Sequence, residues 1–442
     1  MTLAAAAVWR SVAAQTSGSA AAAPLVYTAA PQYDRDAWMR GGERFPAGAQ
    51  VLIAATPSAS PLVSGFAATA DPNVSFDGTK VLFAGKKGPK DTWQVWEIAV
   101  KGGEPKQITK CSGDCVRPFY LPGGRLVYAQ RIQGRFVLQS AEFEAGKTLQ
   151  LSYAPGNAMP TDILRDGRIL FEASFPMGSA SAPEIYTVYS DGSGVESYRC
   201  DHGPRRQAGK QGVSGDIVFA IDKGAARFTS PLAKQVDMSL PAGEFAGDPM
   251  PISPNSFLVA WRPDARARYS LRTWELSRGT LSPFMASESN LVQPAAVTPR
   301  PLPNLHPSGL HDWNYANLLC LNAYTSKQNV PAGSVASAKL YTMDDKGKAK
   351  LLGMSPVERD GSFYVQVPGD KPLQIELLDA HGKTVVREQG WWWARSGEQR
   401  ICVGCHAGPE RAPENATPAV LVKSIKPMVL TGATPVSVKG GK

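Results

Sequence analysis

The feature that most constrains this chain is a short unit repeated through its first two-thirds. Each copy is a turn ending in glycine, followed by a strand of bulky apolar residues. The clear copies are Phe76-Asp77-Gly78-Thr79-Lys80-Val81-Leu82-Phe83, Leu121-Pro122-Gly123-Gly124-Arg125-Leu126-Val127-Tyr128 and Leu164-Arg165-Asp166-Gly167-Arg168-Ile169-Leu170-Phe171. A weaker copy is Ser214-Gly215-Asp216-Ile217-Val218-Phe219, and a degenerate fifth is Ser253-Pro254-Asn255-Ser256-Phe257-Leu258-Val259. The period is roughly 40 to 48 residues, the size of one four-stranded propeller blade. One such sheet cannot bury both faces alone, so the copies must pack against each other.

Other strands of a blade are legible between the copies. Trp93-Gln94-Val95-Trp96-Glu97-Ile98 alternates, turns at Lys101-Gly102-Gly103 and resumes at Pro105-Lys106-Gln107-Ile108; Glu184 to Tyr189 with Ser190-Asp191-Gly192 follows the same logic. The 42 Gly and 36 Pro of the 442 residues fit a turn-rich, helix-poor chain. No long stretch has the 3.6-residue periodicity of a helix. The repeats resemble those of TolB-like propellers, which implies a fold and is nearly silent on function. The expected fold class is mostly β: an N-terminal β-propeller of six or seven blades over residues 24–298. Leu25-Val26-Tyr27-Thr28 is placed to close the ring by completing the last blade.

A Pro-rich linker (Pro299, Pro301, Pro303) then leads into a different region. Leu318 to Tyr324, Ala338 to Met343, Gly361 to Val367 and Leu373 to Leu378 read as strands. Turns fall at Asp344 to Gly347, Asp360-Gly361 and Ala380-His381-Gly382. Residues 299–390 are therefore expected to form a small β-sandwich-like domain. The segment 391–442 carries Cys402-Val403-Gly404-Cys405-His406 and an extended tail. C-x-x-C-H is the attachment signature of c-type haem. Two thiols at that spacing can each form a thioether to a porphyrin vinyl group, and the adjacent imidazole then meets the iron. One covalent haem c is thus expected, with His406 as proximal iron ligand. A zinc half-site is the rival, and the sequence offers no second ligand pair of matched spacing.

Leu318 to Tyr324, then Asp360 to Pro368, then Trp391-Trp392-Trp393 before the C-x-x-C-H motif resemble the hydrazine synthase alpha-subunit family. That resemblance implies a TolB-like propeller followed by a β-rich middle domain carrying a c-type haem, in the same order as here. It also carries two departures. Hydrazine synthase has a further haem-bearing C-terminal domain, whereas this sequence holds one C-x-x-C-H. The family's enzyme serves its iron with a Tyr four residues after the motif His, and Glu410 stands at that position here. The resemblance therefore implies the fold and a haem, without that family's unusual ligation.

For the distal iron position the preferred candidates are His306 and His311, in the loop entering the haem-bearing domain. His202, His381, Met343, Met354 and Met428 are the others. A Met ligand would raise the potential and a His would lower it. Trp393, with Trp391 on the same face of a strand, is expected to wall the porphyrin and keep water off it; ordinary packing is the alternative. Cys111 and Cys115 fit a small loop disulfide better than a metal site. Cys200, beside His202, reads as part of a blade-edge loop. Cys320, in an apolar strand, reads as buried and inert. No nucleophile elbow, H-E-x-x-H or phosphate-binding Gly loop is present.

The formal charge of +9 is scattered, with no basic run interleaved with aromatics, so no nucleic-acid partner is expected. An acidic or multihaem redox partner protein suits that charge, in the setting of a larger complex. Residues 1–23, Ala-rich and interrupted by Arg10, are a candidate export signal. With haem attachment on the oxidising side of a membrane, they imply a periplasmic or extracellular location. No apolar run reaches 18 residues, so no membrane-spanning helix is expected. The expected function is electron transfer by an exported monohaem c-type cytochrome. The alternatives are a haem oxidoreductase acting on a small nitrogen or oxygen species, or a redox subunit docked to a multihaem partner.

Overall fold

The computed structural model describes residues 24–55, 58–144, 146–175, 182–199, 205–238, 240–344, 346–388, 390–405 and 412–431. Among these, strands form eight sheets, six of them successive antiparallel sheets arranged as propeller blades. Each repeat copy supplies the turn between a blade's first two strands. In the first blade, Ala68–Val74 and Lys80–Lys86 flank Ser75 to Thr79. Asp77 there accepts hydrogen bonds from Ser75 Oγ (2.5 Å), Thr79 N–H (3.0 Å) and Thr79 Oγ1 (2.8 Å). Those donors, Ser75 foremost, lower its carboxyl pKa to about 2. Gly78 follows at φ +75°, a left-handed conformation, and a Cβ there would lie 2.9 Å from the Pro299 nitrogen. Glycine is needed for both reasons.

The sixth blade joins the two ends of the propeller. Asn290–Ala296 pairs antiparallel with Leu25–Ala30, with Leu25 opposite Ala296 and Ala30 opposite Asn290. Gln50–Ala55 and Ser58–Pro61 complete that sheet. The blade number is therefore six, with the early strand closing the ring.

The first strands of neighbouring blades pack around the axis. Bulges in four of the six put one non-glycine residue each at positive φ, Asp71 (58°), Arg117 (55°), Ala208 (49°) and Gln293 (58°), and Asp248 (52°), just before the fifth blade's strand Met250–Ser253, adopts the same conformation. Each such conformation costs roughly 1–2 kcal/mol, and a buried network offsets it. Arg44 donates to both carboxylate oxygens of Asp71 (2.7 and 2.6 Å). Asp71 also accepts from Gln293 Nε2 (2.5 Å) and from the Arg117 N–H (3.0 Å). The Arg117 guanidinium grips Asp248 with two bonds (2.7 and 2.9 Å) and reaches the Pro160 carbonyl (3.1 Å). Asp248 N–H donates to Ala208 O (3.2 Å), and Ala208 N–H donates to Glu172 (2.8 Å). Side chains and backbone from all six blades are tied together at the axis.

The remaining two sheets make a β-sandwich. One contains Gln399–Cys402, Tyr315–Cys320, Phe363–Pro368 and Met428–Val429; the other is built on Ala349–Pro356, Ser337–Met343, Lys371–Leu378 and Thr384–Arg387, with Trp392–Ala394 beside Lys371–Leu378. Leu318, Val365, Val367, Leu340, Leu373 and Leu377 fill the space between them. The C-x-x-C-H segment is therefore woven into both sheets instead of following the domain as an appendage. The tail differs from the expected extended chain: Ala419–Lys423 is helical. Asp360 accepts the Ala419 N–H (2.6 Å) and Ser362 Oγ the Val420 N–H (3.0 Å), satisfying the free amides of the helix start.

The sandwich sits on the third blade. Trp393 is fully buried against Phe171, Phe175 and Tyr153, and its Nε1–H donates to Gly192 O (3.0 Å). Arg395 reaches the neighbouring second blade at Gln150 O (3.1 Å), and Gly194 N–H of the third blade donates to Glu398 (3.1 Å). Trp393→Ala is expected to cost about 3–5 kcal/mol, the usual range for emptying a buried aromatic site. Limited proteolysis should then cut within residues 299–314 before the propeller unfolds. An unchanged cleavage pattern would contradict this anchoring role.

Candidate functional site

Between the third blade and the sandwich lies a cavity of about 680 Å³, within the range typical of small-molecule and cofactor sites. The sandwich side presents Cys320, Cys402 and Cys405 beside Leu318, Phe363 and Leu377. Trp391 and Trp392 form an aromatic wall. Tyr186, Tyr189 and Tyr198 with Arg168 line the propeller side.

Local folding explains how the thiols arrive there. Gln399–Cys402 pairs in parallel with Tyr315–Cys320, so Cys402 stands directly beside Cys320 in the ladder. Leu321 N–H donates to Cys402 O (2.9 Å), extending the pairing by one residue. The following turn folds over residues 322–325. A Cβ on Gly404 would lie 2.0 Å from the Thr325 carbonyl oxygen, so only glycine fits. This turn brings the Cys405 thiol to the same cavity as Cys320 and Cys402. Cys320, Cys402 and Cys405 are all free thiols. Gly404→Ala is expected to push the turn off its seat, costing about 1–3 kcal/mol as overpacking does. Faster alkylation of Cys405 in the folded protein would show it; an unchanged rate would count against this seating.

The thiols of Cys320 and Cys402 sit beside the half-buried Arg400 guanidinium, with Arg168 on the opposite wall. Burial pushes the Cys402 thiol above its ordinary pKa, and the adjacent Arg400 pulls the other way. Arg400 lies over the Trp392 ring at 5.1 Å, donates to Val195 O (2.5 Å) and stands 3.5 Å from Glu398. Trp392 Nε1–H donates to Glu388 (2.7 Å), which fixes the indole. Arg168 is held by Asp166 (2.8 Å) and Glu196 (2.7 Å).

This donor set fits a haem c. Two thiols at the attachment spacing open into a largely apolar cavity of sufficient size, with indole walls and two guanidinium groups within reach of carboxylates. Cys402 and Cys405 would hold it. His406, expected as proximal ligand, lies outside the described residues, as do Glu410, Cys200 and His202.

The other expected site residues are distributed differently. His306 is exposed, with Nε2 bonded to the Asp166 carbonyl and its ring edge-on to Tyr189 at 4.9 Å. His311 is exposed and stacked on Trp313 at 4.3 Å. Neither imidazole lines the cavity, although Gly309 and Leu310 between them do. His381, Met343, Met354 and Met428 lie away from it as well. Of the three tryptophans, Trp391 and Trp392 face the cavity, while Trp393 turns into the propeller interface. Cys111 and Cys115 form the expected disulfide. Cys320 is buried as expected, but it is part of the thiol group instead of an isolated core residue; nothing local in the sequence announces its parallel partner.

Residues 321–407 match the profile of the hydrazine synthase alpha subunit middle domain. Over 123 residues the chain is 26% identical to hydrazine synthase subunit alpha of Kuenenia stuttgartiensis, a stretch that is 27% of this chain and 15% of that relative. The solved hydrazine synthase of Kuenenia stuttgartiensis superposes with a TM-score of 0.78 at 18% identity, covering 91% of this chain and 72% of that one. TolB from Acinetobacter baumannii aligns over 62% of this chain and 67% of its own at 14% identity, with a TM-score of 0.44. The resemblance to the hydrazine synthase alpha subunit holds, and the propeller-plus-sandwich fold is shared with that enzyme's structure.

Proposed function

We propose that this chain is a redox subunit carrying one haem c in the cavity between its third blade and its sandwich. The observation that carries this reading is the pair of free thiols, Cys402 and Cys405, opening together into that space. Bound there, haem would supply an iron that cycles between Fe(II) and Fe(III). The chain's own residues would attach it through the two sulfurs, wall it with Trp391 and Trp392, and exclude water with Leu318, Phe363 and Leu377. Arg168 and Arg400 are the cations placed to meet carboxylates. Electron transfer to a partner protein is the primary role, and the relative's name as a subunit supports work within a complex. The Cys111–Cys115 disulfide supports an oxidising compartment. No helix among the described residues is long and apolar enough to cross a membrane.

One observation favours a second reading. Among the described residues lining the cavity there is no His and no Met; phenols and carboxylates face it instead. A haem held there by Cys402 and Cys405 would supply an iron open to small ligands, the chemistry of an oxidoreductase acting on a small nitrogen or oxygen species. The spin state decides between the two. Protein produced with haem attached should give a six-coordinate, low-spin spectrum that ignores added carbon monoxide or cyanide if it serves electron transfer. A high-spin spectrum that binds either ligand readily would select the second role and overturn the first.

A further inference from the structure

We propose that the propeller axis carries a binding site for a small monovalent anion, a planar carboxylate or oxyanion with few non-hydrogen atoms, received by Lys210 and Asn73. The site lies apart from the cavity beside the third blade and does not depend on a haem being bound there.

A pocket of about 50 Å³ opens among the inner strands, beside the buried network that ties the blades together. Phe119, Pro72, Pro118 and Pro294 give it apolar walls. Its polar lining is Asp71, Asn73, Arg117, Lys210, Asp248 and Gln293. Four of these are engaged with the network. Asp71 is held by Arg44, Gln293 and the Arg117 N–H, and the Arg117 guanidinium by Asp248 and the Pro160 carbonyl. Gln293 Oε1 accepts from Thr28 Oγ1 (2.8 Å) and the Asp71 N–H (3.1 Å).

The other two keep free donors. Asn73 is 9% exposed, and its Oδ1 accepts the Tyr120 N–H (3.0 Å). That bond fixes which way the amide points and leaves Nδ2 without an acceptor among the described residues. Lys210 Nζ lies 4.4 Å from the centre of the Phe119 ring. The carboxylate oxygen facing it, Asp162 Oδ1, is 3.8 Å away, beyond hydrogen-bond length. An ammonium has three donors and accepts nothing. Two unsatisfied donor groups, one of them cationic, therefore share one pocket, and buried donors of this kind ordinarily have partners.

Charge and size set the class of partner. Asp248 offsets Arg117, and Asp71 offsets Arg44. Arg300 donates to the carbonyl of Val74, next to Asn73 (3.0 Å), and lies over Phe76 at 4.3 Å, with no ion pair among the described residues. Glu172 does not line the pocket, and burial pushes its carboxyl pKa up. Lys210 and Arg300 set against Asp162 leave one positive charge, enough for a monovalent anion and short of a divalent one. Burial also depresses the Lys210 pKa, against the pull of Asp162, and an anion at Nζ restores its charged form. One water fills about 10–15 Å³ of such space, so the pocket takes about three or four atoms of that size. Formate and bicarbonate meet both limits; sulfate meets neither.

The test titrates the purified full-length chain with sodium formate and, separately, with sodium sulfate at constant ionic strength, following the heat of binding and the unfolding temperature. Formate should bind saturably at one site. It joins the first and fourth blades through Asn73 and Lys210, so it should also raise the unfolding temperature. Sulfate should show no saturable binding. Lys210→Met and Asn73→Asp should each weaken formate at least about tenfold, the scale of one charge-assisted hydrogen bond. Asn73→Asp keeps the side-chain size and the oxygen that accepts the Tyr120 N–H while replacing the donor by a carboxylate oxygen. It decides the matter alone if Lys210→Met fails to fold. No saturable formate binding, sulfate binding as tight as formate, or wild-type formate affinity in either folded variant would overturn the proposal.

Discussion

Replacing Cys402 and Cys405 together by serine is expected to abolish covalent haem completely while leaving the propeller folded. Serine keeps the size of cysteine but lacks the sulfur nucleophile, and neither residue belongs to the propeller core. Each single substitution should retain haem on the polypeptide through the remaining thioether, at reduced yield. The measurement is haem-dependent peroxidase staining after denaturing electrophoresis, with circular dichroism as the check on folding. Cys320→Ser should leave the staining intact, because that thiol is not at attachment spacing. Loss of stain in Cys320→Ser equal to that in the double variant would assign attachment to the wrong thiol pair.

The second large effect lies far from the cavity, at the propeller axis. Arg117→Met is expected to destabilise the chain by about 3–5 kcal/mol, the range for breaking a buried pair by removing one partner. Arg117 and Asp248 have side chains 5% and 8% exposed, so little solvent reaches the charge left behind. Burial would raise the Asp248 carboxyl pKa, but the Arg117 charge and hydrogen bonds hold it below its ordinary value. The contrasting variant is Arg40→Met, at a pair 62% and 47% exposed, which should change stability by no more than about 1 kcal/mol. Urea unfolding of both variants makes the comparison. Equal small effects would show that the axial network is dispensable. The double variant Arg117→Met with Asp248→Leu should recover part of the loss, since no uncompensated charge remains at that pair.

The blades were legible because their pattern is local. A turn of Asp-Gly type and the strand after it lie within eight residues, so Phe76 to Phe83 already specifies a hairpin. The sixth blade was only suggested, because it pairs Leu25 with Ala296, and no local pattern can place partners that far apart. The cavity was half legible. C-x-x-C-H fixes the thiol spacing, but the parallel pairing of Cys320 with Cys402 depends on a crossover through the whole sandwich. Proximity in sequence also misled: His306 and His311 enter the right domain, yet the loop spends them on the Asp166 carbonyl and on the face of Trp313. Strand alternation separated Trp392 from Trp393 but wrongly grouped Trp391 with Trp393: Trp391 precedes the strand Trp392–Ala394 and lines the cavity beside Trp392. Trp393 went to the propeller, where its indole N–H finds the Gly192 carbonyl.

The central claim is that this cavity holds a haem bound through Cys402 and Cys405. The most direct measurement is the absorption spectrum of the purified protein, oxidised and reduced, followed by acid–acetone extraction. The account predicts Soret and α bands characteristic of c-type haem, with the chromophore remaining on the polypeptide after extraction and found by mass spectrometry on residues 401–411. A colourless protein from an attachment-competent host, with both thiols free or bound to zinc, would contradict it.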